Sequence, residues 1–338
     1  MKDGKFLTLG IETSCDETAI AVLADGREVM SNVISSQIDI FKNYGGVVPE
    51  IAARHHLENI NGVLDESLSE AGVTLDDIDL IGVTYGPGLV GALLMGVSTA
   101  KAIAFAKDIP IVGVNHLMGH ISANFVDSNE VEPPFMALIT SGGHTEIAYV
   151  SSYVSCEILG GTRDDAIGEA YDKVARVLGL GYPGGPKLDK LAKEGNPDAI
   201  YFKRVYLEKG TYDFSFSGIK TAVLNYANQE KQAGREINGA DVAASFQQAV
   251  LEVVVNKTME ACEERGEKKL VLAGGVAANS GLRKLLKQEC DKRGISLNIP
   301  EPIYCTDNGA MIASAAYYKY CTLGEDALTL DTSASLDL

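Results

Sequence analysis

Two stretches of the chain share one pattern of hydrophobic and polar positions. Residues 6–24 read FLTLGIETSCDETAIAVLA, and residues 135–152 read FMALITSGGHTEIAYVSS. Each stretch begins with a short apolar run, continues through a polar or glycine turn that holds a threonine and an acidic residue, and ends with a second apolar run. Short apolar runs on both sides of such a turn are typical of a β-hairpin. We therefore predict an internal duplication in which each half begins with a hairpin.

Helix and strand patterns alternate in the rest of each half. The first half has a helix pattern over 51–71, a strand over 79–88, a helix over 91–107 and a strand over 109–116. The second half ends with strand, helix, strand and helix patterns over 268–275, 280–294, 296–299 and 308–320. This alternation predicts a mixed, largely parallel α/β sheet in each half. We expect domains at residues 1–130 and 131–325, an insertion at 161–239 and a flexible tail at 326–338.

The composition indicates a globular protein. With 338 residues, 46% of them hydrophobic, the chain suits two domains of about 150 residues each. No run approaches the ~20 apolar residues of a membrane span, and the first residues lack the regions of a secretory signal. Six scattered cysteines form no CxxC pair. We expect a cytoplasmic protein with free thiols and no membrane partner.

The net charge restricts the kinds of partner. A formal charge of −17 argues against broad, non-specific binding of nucleic acid, because such binding neutralises phosphates. Residues 163–220 differ, since they hold ten lysines and arginines against nine acidic residues. We expect a polyanionic ligand to approach this segment. Its candidate basic residues are Arg163, Lys173, Arg176, Lys187, Lys190, Lys193, Lys203 and Arg204.

Two histidines, His116 and His120, stand four residues apart in NHLMGHISAN. In a helix this spacing places both imidazoles on one face, where they can bind one metal ion. A metallopeptidase helix has the same spacing but carries a glutamate, its general base, after the first histidine. This chain has Leu117 there, which disfavours protease chemistry. The alternative is that one histidine is a buried structural residue and the other lies on the surface.

Asp307 precedes the last predicted helix and is suited to cap it. The same carboxylate would complete a two-histidine, one-carboxylate metal site if the fold brings it to His116 and His120. This ligand set suits iron, manganese or zinc, and it leaves positions open for ligand oxygens. Both roles remain open for Asp307 at this point.

Glycine-containing turns point to a nucleotide site. The turns at 10–14 and 141–145 offer hydroxyls and backbone N–H groups that can bind phosphate oxygens. Two glycines precede Asn279 in LAGGVAAN, where a flat ring can lie against the backbone and the amide can pair with it. Asp172 and Asp189 are carboxylates of the kind that accept hydrogen bonds from ribose hydroxyls. Ordinary turns and solvated helix charges are the alternative explanations.

Eight motifs occur together, in order and over nearly the whole chain. They are GIETSCDETA, YGGVVPEIAARHH, NHLMGHISAN, SGGHT, GEAYDKVARVLGLGYPGGP, FSFSGIKTAV, GGVAANSGLR and CTDNGAMIA. In these motifs the chain resembles the bacterial branch of the TsaD family, the tRNA N6-adenosine threonylcarbamoyltransferases once called Gcp or O-sialoglycoprotein endopeptidases. The resemblance implies a duplicated actin-like ATPase fold of the sugar kinase and actin superfamily, with two mixed-sheet domains around a nucleotide cleft.

The resemblance also implies an acyltransferase activity. The family transfers threonylcarbamoyl from threonylcarbamoyl-AMP to N6 of adenosine 37, in the anticodon loop of tRNAs that read codons beginning with A, and releases AMP. It further implies one metal ion, usually ferrous iron, with zinc or manganese as alternatives. The implied partners are TsaB and TsaE, and a homodimer is an alternative assembly.

Site residues follow from the same resemblance. His116, His120 and Asp307 would bind the metal. The adenylate would be bound by Ile139, Thr140, Ser141, Gly142, Gly143, Asp172, Gly185, Asp189 and Asn279. We also hypothesise that Glu12, in the first phosphate turn, accepts a proton or polarises a water. His56 and His144 are either ligand-orienting or structural.

Two other functions stay open. An ATP-binding or ATPase scaffold of the modification complex would retain the same nucleotide residues. A metalloendopeptidase would use the histidine pair, but it lacks the adjacent glutamate.

Overall fold

A computed structural model describes residues 4–127, 130–208 and 210–338. The chain divides into two compact units. Unit 1 contains Met1–Pro133, Ser151–Cys156 and Pro300–Leu338, and unit 2 contains Pro134–Val150 and Glu157–Ile299. The end of the chain thus belongs to the same unit as its beginning. This division differs from the expected one, which assigned residues 131–325 to a second domain, because the last helix packs on the first sheet.

Unit 1 is built on a five-stranded sheet. Its elements up to residue 122 are β1 (Leu7–Glu12), β2 (Glu17–Ala24), β3 (Glu28–Ser36), α1 (Ile38–Phe41), α2 (Pro49–Ala71), β4 (Leu80–Gly86), α3 (Val90–Lys107), β5 (Ile111–Asn115) and α4 (His116–Ser122). The strand order is β3-β2-β1-β4-β5. The β1–β2 and β2–β3 pairs are antiparallel, whereas β1–β4 and β4–β5 are parallel.

Unit 2 repeats this topology. Its elements are β6 (Phe135–Thr140), β7 (Thr145–Ser152), β8 (Ser155–Gly161), α5 (Ile167–Val177), α6 (Gly184–Ala192), α7 (Ser217–Gln232), α8 (Gly239–Arg265), β9 (Lys269–Ala273), α9 (Ser280–Arg293) and β10 (Ser296–Asn298). The end of β7 and the start of β8 fall in Ser151–Cys156, which belongs to unit 1. The order β10-β9-β6-β7-β8 is the order of the first sheet read in reverse. The predicted duplication with two hairpins is therefore confirmed. Helices α5, α6 and α7 lie within the expected insertion.

The third strand of each sheet, β3 or β8, was not predicted. Most residues of β3 are partly exposed, and polar residues such as Ser31 and Asn32 interrupt its apolar run. β8 has a similarly exposed pattern. Because β3 continues the first hairpin in antiparallel fashion, the first sheet has as many antiparallel as parallel pairings. The prediction of a mixed sheet is confirmed, whereas the prediction of a largely parallel one is wrong for the first sheet.

Two helices, α10 (Pro302–Cys305) and α11 (Gly309–Leu323), complete unit 1. Helix α11 crosses the sheet at very close range. A Cβ built on Gly10 would lie 2.3 Å from the carbonyl oxygen of Gly309, and one built on Gly309 would lie 2.5 Å from the nitrogen of Ala21. Glycine at both positions therefore allows the helix to lie directly on β1 and β2. This packing brings the residues that precede α11 to the first sheet.

The last residues pack on unit 1 and do not form the tail expected at 326–338. The N–H of Asp326 donates to Ile111 O at 2.8 Å, and its Oδ2 accepts the N–H of Gly113 at 2.8 Å. The N–H of Ser333 donates to Tyr85 O at 2.8 Å. The partners lie on or beside the edge strand β5, more than 200 residues away in sequence. The local sequence therefore carries no signal for this packing.

One helix, α3, is long and apolar enough to cross a membrane by length and composition alone. A core helix of a globular domain meets the same criterion. In unit 1, α3 packs against α2 and β4 through buried residues that include Leu93, Val97 and Ala100. These contacts account for the apolar residues on its buried face. Its exposed apolar residues are Val90, Leu94 and Phe105.

Candidate metal centre and nucleotide site

The predicted metal ligands come together in unit 1. Helix α4 begins at His116, directly after β5, and the side chain of Asn115 caps it by accepting the N–H of Leu117 at 2.8 Å. His116 and His120 share one face of this helix, with ring centroids 4.6 Å apart. Asp307 Oδ1 lies 3.5 Å from His116 Nε2 and 3.2 Å from His120 Nε2. Asp307, which is distant in sequence, thus joins the two histidines of α4 in one cluster.

Asn308, and not Asp307, caps the last helix. Asn308 Oδ1 accepts the N–H of Met311 at 2.9 Å, and its Nδ2 donates to the carbonyl oxygens of Tyr304 and Thr306. The capping role that the sequence allowed for Asp307 is therefore wrong. Its carboxylate faces the two imidazoles instead.

The three side chains fit a divalent transition metal. One ligand atom from each of His116, His120 and Asp307 lies within 4.8 Å of the other two. His120 is 1% exposed; its Nδ1 has no hydrogen-bond partner among the described residues, and its Nε2 lies 3.2 Å from the Asp307 carboxylate without hydrogen-bond geometry. A buried imidazole without hydrogen bonds is unfavourable, and coordination would satisfy it. Two histidines and one carboxylate suit iron, manganese or zinc.

Glu12 contacts the other ring nitrogen of His116. Its Oε2 lies 3.0 Å from His116 Nδ1 and accepts the hydroxyl of Thr84 at 2.6 Å. Its Oε1 accepts the N–H of Ser14 at 2.5 Å, and the side chain is fully buried. Because protein donors occupy both oxygens, these contacts suit a residue that orients His116. They do not suit the proton acceptor for substrate that we expected from the sequence.

The cluster is strongly coupled electrostatically. Burial lowers the pKa of His116, but the carboxylates of Glu12 and Asp307 outweigh it and raise that pKa to about 9. Burial also opposes ionisation of Asp307, yet the two imidazoles hold its pKa at about 2. Although Glu12 is buried, His116 lowers its pKa as well. The protein alone therefore favours a protonated His116, and a metal ion would displace that proton.

His56 has a structural environment. Its Nδ1 lies 2.8 Å from the hydroxyl of Thr18 and its Nε2 lies 3.0 Å from the carbonyl oxygen of Cys15. Burial lowers the pKa of His56, which favours a neutral ring. Both nitrogens are thus occupied inside unit 1, which leaves none to orient a ligand.

In unit 2, the turn between β6 and β7 presents Gly142 and Gly143. The N–H of Ser141 donates to His144 O at 2.8 Å, and the N–H of His144 donates to Ser141 Oγ at 3.0 Å, so the turn is closed. Both glycines are exposed, with open space beside each Cα. Their N–H groups have no hydrogen-bond partner within the described part of the chain. Two adjacent N–H groups of this kind can bind an anionic oxygen.

Ile139 and Thr140 end strand β6 and lead into this turn. The hydroxyl of Thr140 donates to Ala273 O at 3.3 Å. A Cβ on Gly274, which has a φ of 88°, would lie 2.4 Å from the carbonyl oxygen of Thr140. The turn after β9 therefore packs against the residue before Ser141. The two predicted nucleotide loops of this unit lie together.

Asp172 and Asp189 each bind the start of a helix. Asp172 Oδ1 accepts the N–H groups of Gly184 at 2.8 Å and Gly185 at 3.1 Å, at the start of α6. Asp189 accepts the hydroxyl of Ser280 at 2.8 Å and its N–H at 3.3 Å, at the start of α9. Burial raises the pKa of Asp172, although the two N–H groups act in the opposite direction. Hydrogen bonds thus connect α5, α6 and α9.

Asn279 also has structural partners. Its Oδ1 accepts the N–H of Leu282 at 2.8 Å, and its Nδ2 donates to Gln247 Oε1 at 3.1 Å. The hydroxyl of Tyr171 donates to the same oxygen at 3.3 Å. We did not predict Gln247 or, in unit 1, Thr84. The signal for each was a polar residue within an otherwise buried helix or strand.

Comparisons with known proteins match nearly the whole chain. The profile of the TsaD family, described as tRNA N6-adenosine threonylcarbamoyltransferase, matches residues 28–314. A protein of the same description from Clostridium perfringens is 57% identical over 334 residues, which cover 99% of this chain and 98% of the relative. One from Clostridium botulinum is 58% identical over 330 residues, which cover 98% and 97% of the two chains.

Solved structures support the fold. Full-length HypF superposes with a TM-score of 0.63 at 14% identity, covering 96% of this chain and 47% of that chain. Component A of (R)-2-hydroxyglutaryl-CoA dehydratase from Acidaminococcus fermentans has a TM-score of 0.54 at 17% identity, covering 94% and 100%. At such identities the likeness shows the fold alone, which is the actin-like ATPase fold that we expected. By its family profile and its bacterial relatives, the chain belongs to the tRNA N6-adenosine threonylcarbamoyltransferase (TsaD) family.

Proposed function

We propose that this chain is an acyltransferase. It transfers threonylcarbamoyl from threonylcarbamoyl-AMP to N6 of adenosine 37 in tRNAs that read codons beginning with A, and it releases AMP. The observation that carries this proposal, in a member of the TsaD family, is the cluster of two histidines and one aspartate with an unsatisfied, buried His120. We place the reaction in the cytoplasm, with TsaB and TsaE as partner proteins.

The reaction does not require the protein to form a covalent bond with the substrate. The substrate is a mixed carbamic–phosphoric anhydride, so AMP is already a good leaving group and no nucleophilic side chain is needed. The adenine N6 is a weak nucleophile because its lone pair is delocalised into the ring. The site must therefore position N6, polarise the carbamoyl carbonyl and remove a proton. Preorganised ligands and N–H donors meet the first two needs.

We assign metal binding to His116, His120 and Asp307, with ferrous iron as the ion and zinc or manganese as alternatives. When bound, the ion supplies Lewis acidity for a phosphate or carbonyl oxygen. Glu12 orients His116 through Nδ1 and thereby keeps Nε2 directed toward the metal position. The sequence suggested that Glu12 accepts a proton or polarises a water, but its contacts support orientation of His116 instead.

We assign adenylate binding to the residues that the family resemblance indicated in unit 2. They are Ile139, Thr140, Ser141, Gly142, Gly143, Asp172, Gly185, Asp189 and Asn279. The exposed N–H groups of Gly142 and Gly143 suit an anionic oxygen. Asp172 Oδ2 accepts no hydrogen bond from the described residues, so it suits a ribose hydroxyl. Asp189 and Asn279 bind the start of α9 and hold it in place.

A reconstitution tests this function. The full chain is combined with TsaB, TsaE, threonylcarbamoyl-AMP and unmodified tRNA, and the nucleosides are analysed by mass spectrometry. We expect threonylcarbamoyladenosine from the wild-type chain and none from His116→Ala. The matched control is His55→Ala, because His55 lies on α2, partly exposed and paired with Glu58 at 3.2 Å. It should keep full activity.

Two further results decide between this function and the alternatives. Removal of metal with a chelator should abolish product, and re-addition of ferrous iron should restore it. Absence of product from the wild-type chain with active partners would contradict the transferase. Nucleotide hydrolysis under those conditions would instead support an ATPase scaffold.

A further inference from the structure

Two segments of unit 2 are basic although the whole chain is acidic. Residues 173–193 contain five lysines and arginines and a single acidic residue. Residues 268–288 contain five lysines and arginines and no acidic residue. The exposed lysines of α6 and its end, and those of α9 up to residue 288, form what we call the basic rim. It consists of Lys187, Lys190, Lys193, Lys284 and Lys287. A local excess of this kind attracts anions even on a protein with a charge of −17.

One hydrogen-bonded contact joins the two halves of the basic rim. Asp189 lies between Lys187 and Lys190 on α6, and its carboxylate accepts the hydroxyl of Ser280 at 2.8 Å. Ser280 is the first residue of α9, four residues before Lys284. At a rise of about 1.5 Å per residue, Lys284 lies roughly 6 Å along the helix from that contact. The lysines of α6 and α9 therefore lie on adjoining helices.

The charges of the basic rim are largely unneutralised. Within the described residues, no carboxylate lies within ion-pair distance of Lys187, Lys190, Lys284 or Lys287. Lys187 donates only to backbone carbonyl oxygens. The ammonium of Lys193 is 3.5 Å from Asp189 Oδ2, and this carboxylate also accepts hydrogen bonds from Ser280.

The other basic residues of the insertion have a different environment. Arg163, Lys173 and Arg204 lie 2.5–2.7 Å from carboxylate oxygens of Asp213, Asp165 and Glu252, respectively. Their positive charges are balanced locally, which weakens them as sites for phosphate. The structure therefore narrows the polyanion surface that we expected between Arg163 and Arg204. Among the described residues, its middle part on α6 keeps exposed lysines that are not neutralised, whereas Lys203 is a single exposed lysine outside any helix.

We propose that the basic rim binds the sugar–phosphate backbone of the tRNA substrate. Release of counterions from phosphates provides most of the affinity of such surfaces. The position fits, because α6 also carries Gly185 and Asp189 and α9 is capped by Asn279, all three assigned to adenylate binding. A tRNA held on the basic rim lies beside the donor substrate. This inference rests on the proposed function, since it names where the acceptor substrate binds.

The test compares two double variants with the same change in charge. Lys190→Gln/Lys284→Gln removes two positive charges from the basic rim. Lys203→Gln/Lys231→Gln removes two exposed lysines elsewhere in unit 2, neither of them near a carboxylate among the described residues. Each full-length chain is assembled with its partner proteins. Binding of labelled tRNA is followed by fluorescence anisotropy at several KCl concentrations.

We expect the rim variant to bind tRNA roughly tenfold more weakly, with the slope of log K against log salt reduced by about 1.5 for two lost phosphate contacts. The control variant should bind as the wild type does. In the transfer assay, the rim variant should raise KM for tRNA and keep both kcat and the affinity for threonylcarbamoyl-AMP.

Two outcomes would contradict the proposal that the basic rim binds tRNA. One is tRNA binding by the rim variant that equals that of the wild type. The other is an equal loss in both double variants, which would reveal a general charge effect. A wild-type chain that binds tRNA through the basic rim but forms no product would contradict the transferase function. It would still support tRNA binding by the basic rim.

Discussion

The imidazole of His116 lies between two carboxylates, with Glu12 at one ring nitrogen and Asp307 at the other. Glu12 contacts Nδ1 at 3.0 Å, whereas Asp307 faces Nε2 at 3.5 Å. A carboxylate on the nitrogen that does not bind metal fixes the tautomer and the orientation of the ring. Replacing one carboxylate oxygen of Glu12 by an NH2 group, as in Glu12→Gln, therefore tests whether this contact orients His116 in the metal centre.

Glu12→Gln should weaken metal binding by about 10- to 100-fold, because the amide keeps the shape of the side chain but removes its charge. The measurement is a competition titration with a chelator of known affinity, accompanied by thermal unfolding to verify the fold. Glu58→Gln, an exposed position on α2, is the control and should leave the affinity unchanged. A Glu12→Gln protein with the wild-type metal affinity would show that the contact does not orient His116.

We expect the cysteine thiols to differ in reactivity because some are buried and one is exposed. Burial raises the pKa of Cys262 to about 12 and that of Cys290 to about 11, whereas Cys321 is exposed. The thiolate is the reactive form, so a raised pKa together with burial slows alkylation. In the native protein at pH 8, we expect maleimide to label Cys321 first, and Cys262 and Cys290 only after unfolding. Peptide mass spectrometry would reveal the order, and early labelling of Cys290 would contradict it.

Among the elements, α11 links core packing to the metal centre. The glycines at positions 10 and 309 let this helix lie against β1, and the cap residue Asn308 sets where it begins. Asp307 is the residue immediately before that cap. The start of α11 therefore determines where the third metal ligand lies.

Asn308→Ala should destabilise unit 1 by about 2 kcal/mol, because the helix loses its cap and two backbone carbonyl groups lose a donor. Asn308→Ser retains a capping oxygen and should lose about half as much. Urea unfolding measures both, and metal affinity should fall in the same order as Asp307 becomes less fixed. Equal stability of the Ala and Ser proteins would argue against the cap.

The elements differ in how far the sequence predicted them. Strands such as β1 and β6 are buried at every residue, so their apolar runs were recognised directly. Strands β3 and β8 have mostly part-exposed or exposed residues, and polar residues interrupt their pattern. Propensity and pattern predict a strand when burial dictates its residues, and they fail where solvent permits polar ones.

For the molecule as a whole, the C-terminal segment covers the edge of the first sheet. Asp326 forms hydrogen bonds with the backbone of Ile111 and Gly113. Its carboxylate also accepts a hydrogen bond from the ammonium of Lys319 at 2.9 Å. An uncovered edge strand offers unpaired N–H and C=O groups to other chains. The segment therefore both stabilises unit 1 and protects strand β5.

Deletion of residues 326–338 should lower the unfolding temperature and cause concentration-dependent self-association through β5. Thermal denaturation and light scattering measure the two effects. As a matched pair, Asp326→Asn should destabilise the protein, whereas Asp331→Asn should not, because among the described residues the Asp331 side chain accepts a hydrogen bond only from the neighbouring N–H of Thr332. A truncated chain with the wild-type midpoint and mass would contradict this role.

The sequence by itself determined the hairpins, the helices α2, α3, α9 and α11, and the spacing of His116 and His120, because these depend on residues close along the chain. It did not predict the longest helix, α8. It also carried the motifs of the TsaD family. The tertiary structure decided that Asn308 caps α11, that Asp307 meets the histidines, and that Glu12 is buried against His116. It also decided which lysines are neutralised and where the last residues pack. These outcomes depend on contacts between residues far apart in sequence, and local patterns contain no information about such partners.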